Sequence, residues 1–200
     1  MKIQIVLIIC AALSLPLYAH AAACCATDDV EGVALSELPD ESLYQLDSTW
    51  TNAEGAPIHL SDLRGPHRIV AMFYSTCTHV CPLIVSNMKR IEREVPADAN
   101  IEFTLFSLDP ERDTPKALRE FAQRQKITAP NWKVLAASQD SVRELSAVLG
   151  VNYRTEADGE IAHSTQITLL DHDGRIVAQL AKMDDDPAPI IAALQSAHEH

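Results

Sequence analysis

Basic residues are scarce: 16 Lys and Arg stand against 28 Asp and Glu, a formal net charge of −12 over 200 residues. No basic stripe is left to neutralise phosphates, which excludes a nucleic-acid binder. The acidity suits solubility in an exported compartment or a basic docking partner, but reads first as an ordinary solvated face. Internal repeats and low-complexity segments are absent, and the length gives one domain with a real core and no room for a second. A good membrane-spanning run is lacking too. The apolar opening IQIVLIICAALSLPLYA is interrupted by Pro16, whereas a spanning helix wants about 20 apolar residues.

What is present starts with that opening. Lys2 ahead of it and the small residues AHAAACC behind it make residues 1–23 read as a secretory signal, with an uncleaved membrane anchor as the second reading. Cleavage after Ala21 follows a small-x-small pattern; cleavage after Ala23 would leave Cys24 first, as in a lipoprotein, although AAAC lacks the usual leucine. Residues 24–43, CCATDDVEGVALSELPDESL, carry neither a helix nor a strand period and read as a flexible linker, which leaves 44–200 as the folded domain.

Five cysteines reduce to two. Cys10 leaves with the signal, Cys24 and Cys25 are vicinal in the linker, and only Cys77 and Cys81 lie inside the domain. Around them the chain alternates. YQLDSTWT reads as a strand, NAEGAP as a turn and IHLSDLRG as a short strand and turn. RIVAMFY is a central strand covered on both faces. CPLIVSNMKRIEREV carries Leu83, Ile84, Met88, Ile91 and Val95 at helical spacings. IEFTLFSL and NWKVLAA are further strands, and DTPKALREFAQRQ is a helix with Thr114 as N-cap and Pro115 at its first position. SQDSVRELSAVLG is a helix stopped by Gly150. QITLLD and RIVAQL flank the turn DHDG as a hairpin, and a last helix starts at Asp186 and Pro187. This order predicts an α/β domain with a thioredoxin-like fold, its central mixed sheet flanked by helices and preceded by an N-terminal β-hairpin.

Cys77 then falls just past a central strand and Cys81 in the first turn of the next helix. Residues four apart share a helical face with β-carbons about 5–6 Å apart, so both sulfurs reach one spot, and the free N–H groups of a helix start favour thiolate. Three readings compete. A disulfide staple closing so short a loop stabilises little. A redox couple suits the location, although thioredoxin-type dithiols have two intervening residues and here Thr78, His79 and Val80 make three. A peroxide-reducing site wants proline seven residues before the cysteine, where Tyr74 stands. A metal grip needs a third donor: two thiolates favour Cu(I), and an added imidazole admits Cu(II), while zinc accepts the same set.

His79 would project about 200° around the helix from Cys77 and points away. His59, His67 and His172 sit in apparent turns, and His198 and His200 at the terminus. His163, in IAHSTQITLLD, enters a strand that a thioredoxin-like layout brings beside the cysteine helix, which makes it the favoured donor.

FYSTCTHVCP, SLDPERDTP and IAHSTQITLLDHDGRIV, in that order and at these separations, resemble the Sco/SenC family, thioredoxin-fold proteins that deliver copper to the CuA site of cytochrome c oxidase. The likeness runs from about Leu43 to Leu194. It implies a copper site of Cys77, Cys81 and His163 for Cu(I) and Cu(II), with Asp109 in support beside it and not as a ligand. It implies as partners the oxidase subunit that carries CuA, an upstream copper chaperone and a thiol reductant. The setting implied is periplasmic, or the outer face of the bacterial inner membrane. The rival function is a thiol-disulfide oxidoreductase working through the Cys77/Cys81 pair. Two features depart from the family: Thr168 and Leu169 stand where an aromatic is usual, and the amino terminus looks cleavable where many members keep an anchor.

Overall fold

After a 3-10 turn at Leu43–Gln45 come β1 (Thr49–Asn52), β2 (Pro57–His59), a second 3-10 turn (Leu60–Leu63), β3 (His67–Phe73) and α1 (Val80–Glu94). They are followed by β4 (Ile101–Ser107), α2 (Pro115–Arg124), β5 (Trp132–Ala137), α3 (Gln139–Leu149), β6 (Tyr153–Thr155), β7 (Ile161–His163), β8 (Ile167–Leu170), β9 (Ile176–Leu180) and α4 (Ala188–His198). The structure, a computed structural model, describes residues 38–96, 99–182 and 185–198. The expected signal, with Cys10, and residues 24–37 of the expected linker, with Cys24 and Cys25, lie outside them.

Seven strands form one mixed sheet in the order β2-β1-β5-β4-β3-β8-β9. β3, β4 and β5 run parallel at its centre, while β1, β8 and β9 join antiparallel, as the alternation predicts. The N-terminal hairpin β1–β2 is part of this sheet, because β1 also pairs with β5. β3 is buried from Arg68 to Phe73, the pattern of a strand covered on both sides. Its one arginine is paired inside: Arg68 donates to Glu102 at 2.7 Å, Thr104 Oγ1 at 2.9 Å and the Leu63 carbonyl at 2.7 Å, while its buried Nε has no partner among the described residues.

The helix signals hold. Thr114 Oγ1 accepts from the Ala117 amide at 3.3 Å with Pro115 leading α2. Gly150 closes α3 at φ 70°, and Val151 N–H returns to the Ser146 carbonyl at 2.8 Å, the left-handed stop that glycine adopts without a Cβ penalty. α1 packs Cys81, Ile84, Val85, Met88 and Ile91 inward. Leu83, expected on that face, is 54% exposed, since a stripe through Cys81, Ile84 and Met88 turns position 83 outward.

Tyr44 and Gln45, expected in a strand, form a 3-10 turn whose Tyr44 amide is capped by Ser42 Oγ at 3.1 Å. Ser42 and Leu43, at the end of the stretch read as linker, are buried. Ser42 Oγ donates to the Asp173 carbonyl and Leu43 N–H to that of Gly174, so this turn is stitched to the β8–β9 hairpin. β6 and β7, absent from the expectation, pair only with each other as a ribbon outside the sheet.

Candidate metal centre

β3 stops at Phe73, and Tyr74, Ser75 and Thr76 lead to Cys77 before α1 begins at Val80. The loop is clamped at Ser75. Its amide donates to both oxygens of Asp113 at 3.1 Å, and its carbonyl accepts from Arg124 Nη2 at 2.8 Å. Asp113 also accepts from Ser107 Oγ at 2.5 Å, at the end of β4. Burial of this carboxyl holds its pKa above the ordinary value despite those donors.

Cys81 is in the first turn of α1 as expected, but Cys77 precedes the helix, so the two do not share a helical face in the simple sense. What joins them is a cap. Cys81 N–H points at Cys77 Sγ, 3.3 Å away, and a sulfur there meets the unpaired amides of a helix start. Both cysteines are free thiols and buried. The Cys81 S–H donates to Cys77, and together with the Cys81 and His79 amides it brings the Cys77 thiol down to about 4, against the opposing effect of burial. Cys81 is pushed up, first by holding that shared proton and then by burial. The asymmetry makes Cys77 the more acidic of the two thiols.

His163 ends β7, opposite Tyr153. Its Nδ1 lies 2.9 Å from the Ser164 carbonyl; a carbonyl only accepts, so Nδ1 carries the proton and Nε2 the lone pair. Nε2 is 3.8 Å from Cys81 Sγ. Burial lowers the pKa of the imidazole, ahead of the opposing Ser164 and Cys77 contributions, which keeps the ring neutral and fit to ligate. A sulfur about 2.3 Å and a nitrogen about 2.0–2.1 Å from one metal, at about 110–120°, stand about 3.5–3.8 Å apart. The observed separation fits that span. Among the described residues no trio of His, Cys, Asp or Glu is already closed into a metal cage; Cys81 and His163 are the part of the set at ligand spacing.

The other candidates fall away. His79 is exposed and its Nδ1 meets Thr78 Oγ1 at 2.9 Å. His59 meets Thr49, and His67 and His172 face each other at 6.4 Å near the start of β3, at the far end of that strand from the cysteines. Asp109 is buried and grips Arg112, whose Nη2 donates to the Gly159 carbonyl at 2.7 Å. It thus ties the SLDPERDTP loop to the ribbon that carries His163. The carboxylate of that loop which holds the cysteine turn is Asp113, missed from sequence, as were Tyr74 and Glu160. Tyr74 donates its hydroxyl to Glu160 Oε2 at 2.6 Å, and its ring meets the His163 ring edge-on at 5.9 Å. Both Asp113 and Tyr74 stand inside the quoted motifs, at positions where spacing alone does not say which way a side chain points.

A family model described as SCO1/SenC matches residues 38–199. The SCO1 protein homolog of Bacillus subtilis is 25% identical over 167 residues, covering 80% of this chain and 86% of that protein. Arabidopsis thaliana ScoI, solved with copper bound, superposes with a TM-score of 0.67 at 17% identity, over 76% of this chain and 97% of that one. BsSco, a member of the Sco family of cytochrome c oxidase assembly proteins in which a disulfide switch was identified, superposes with a TM-score of 0.65 at 24% identity, over 74% and 90%. The two superpositions bear out the thioredoxin-like fold.

Proposed function

The chain belongs to the SCO1/SenC family, and on that premise we propose that it is a copper-binding metallochaperone that delivers copper to the CuA site of cytochrome c oxidase or to another exported cuproprotein. The observation that carries the reading is the lone-pair nitrogen of His163 facing Cys81 Sγ at 3.8 Å, its tautomer fixed by Ser164. Cys77, held as thiolate, is the first sulfur open to the metal, and the Cys81 proton leaves as that sulfur binds. Copper is cargo here. Two soft sulfurs hold Cu(I), the added imidazole accommodates Cu(II), and release proceeds by ligand exchange with the acceptor site. The proposal includes a periplasmic or membrane-attached setting, supply by an upstream chaperone, and reduction of the thiols before loading. Copper binding by Arabidopsis ScoI and the membership of BsSco in a family of oxidase assembly proteins support it.

Adding Cu(II) to the reduced protein should give an intense thiolate-to-copper band in the visible, weakened in His163→Ala and abolished in Cys81→Ser. A spectrum indifferent to His163 would sink the three-donor site.

One observation favours a second reading. A thiolate stabilised by a neighbouring S–H and helix amides is also the nucleophile of thiol-disulfide exchange. If oxidase assembly tolerates His163→Ala and needs both cysteines, the oxidoreductase reading replaces the carrier.

A further inference from the structure

Cys77 and Cys81 inherit their places from β3 and α1. His163 does not, because among the described residues β6 and β7 pair with each other and with no strand of the central sheet. The third donor is held over the sulfurs by contacts between ribbon and frame and by the three-residue link from His163 into β8. One side chain of the frame reaches both ends of β7. Tyr74, buried directly after β3, donates to Glu160, the residue before β7, at 2.6 Å, and rests its ring against His163, the last residue of β7, with ring planes 78° apart. A hydroxyl donating to a carboxylate at that length is a strong, directional bond. Three further ties hold the ribbon, none of them a hydrogen bond to the imidazole: Arg112 to the Gly159 carbonyl at its tip, Gln139 Nε2 to the Tyr153 hydroxyl at 2.8 Å on β6, and Ile161 of β7, buried in the core.

We infer that the Tyr74–Glu160 hydrogen bond is a latch that keeps the His163 arm closed over the cysteines, making Tyr74 and Glu160 positioning residues for metal retention. With the latch made, three donors converge. With it broken, the His163 end of β7 loosens about the ties that remain, and the cargo is left more often on two sulfurs, from which a competing site takes it more readily. The inference rests on the copper-carrier reading and adds to it which contact sets the rate of release.

The test compares the wild-type protein with Tyr74→Phe, Glu160→Gln, Glu160→Ala and the double variant Tyr74→Phe/Glu160→Ala. Tyr74→Phe keeps the ring, and Glu160 is exposed, so the fold survives these changes. Two readouts are taken: the rate at which excess chelator removes Cu(II), and amide hydrogen exchange in the metal-free protein. Tyr74→Phe and Glu160→Ala should each release copper about tenfold faster, the scale of one hydrogen bond to a charged acceptor. Exchange should rise in β6–β7 and not in β3 or β4. Glu160→Gln, whose amide oxygen still accepts the tyrosyl proton, should stay within about threefold of wild type, and the double variant should be no faster than either single one. Wild-type release and exchange in both single variants would overturn the latch, as would equal losses in Glu160→Gln and Glu160→Ala, or single effects that multiply in the double variant. If the wild-type protein takes up no copper, the carrier reading fails by itself, and the exchange data still decide whether this bond holds the ribbon.

Discussion

Replacing Asp113 with alanine should loosen both the fold and the cysteine turn. The carboxylate is 2% exposed and accepts from the Ser75 amide and the Ser107 hydroxyl. Without it, two buried donors lose their acceptor, at about 1–3 kcal/mol each. Part is recovered because the charge no longer has to be kept from water, which leaves a net loss of about 2–4 kcal/mol. Against a total of about 5–15 kcal/mol that is a large share, and it corresponds to a fall in Tm of about 5–15 °C for a chain of this size. Asp113→Asn should cost only about 1 kcal/mol, because the amide oxygen still accepts from Ser75. The carboxyl pKa is raised in the folded state above its ordinary 3.8. The stability linked to its proton is therefore fully present below that value and lost as pH rises through the folded one. The advantage of wild type over Asp113→Asn should shrink from about pH 4.5 to about pH 7.5. Urea unfolding of all three proteins at both pH values, with Cys77 alkylation rates alongside, measures this. A loss below about 1 kcal/mol in the alanine variant would overturn the argument, as would equal losses in both variants or an advantage that grows with pH.

Cys77 titrates with the opposite sign. Its folded pKa of about 4 lies below the ordinary 9.0, so the stability it contributes is present above 9.0 and lost as pH falls towards 4. The gap between the reduced protein and Cys77→Ser should narrow on acidification, and a constant gap in unfolding experiments would contradict the thiolate assignment. Iodoacetamide should label Cys77 ahead of Cys81 at neutral pH, read by peptide mass analysis; preferential labelling of Cys81 would reverse the assignment. In Gly174→Ala the new Cβ would lie 2.6 Å from Tyr44 Cδ2 at φ +84°, with a cost of about 2–4 kcal/mol in thermal unfolding; a change under about 0.5 kcal/mol would show that the Tyr44 turn is not seated against the hairpin. Thr114→Ala should lose about 1 kcal/mol by the same measurement, and no loss would mean that Pro115 alone starts α2.

The parts of the fold that sequence made legible are those with a local physical signature. The buried run of β3, the Thr114-Pro115 start of α2, the Gly150 stop and the DHDG hairpin each carry their own stereochemistry. Tyr44–Gln45 has strand-like residues, but Ser42 caps it into a turn by a bond to Tyr44 N–H, and its neighbours are sewn to Asp173 and Gly174 more than a hundred residues away. The ribbon β6–β7 has three residues a side, too few for a period of two to register. At the site, Cys77, Cys81 and His163 were legible as candidate donors by residue type and order. The roles of Asp109 and Asp113 were not, because both lie in one short motif and only the end of β4, through Ser107, selects the second to face the cysteine turn.

The amide of Cys81 that points at Cys77 Sγ also has an electrochemical side. A disulfide sulfur is uncharged and a poor acceptor, so oxidation strands that N–H at the mouth of α1. Whatever the anion gains there, the oxidised form forgoes, and the midpoint potential of the couple rises by about 30 mV for each roughly 1.4 kcal/mol. The opening of one helix thus biases the couple towards the dithiol, the form in which both sulfurs are open to a soft cation.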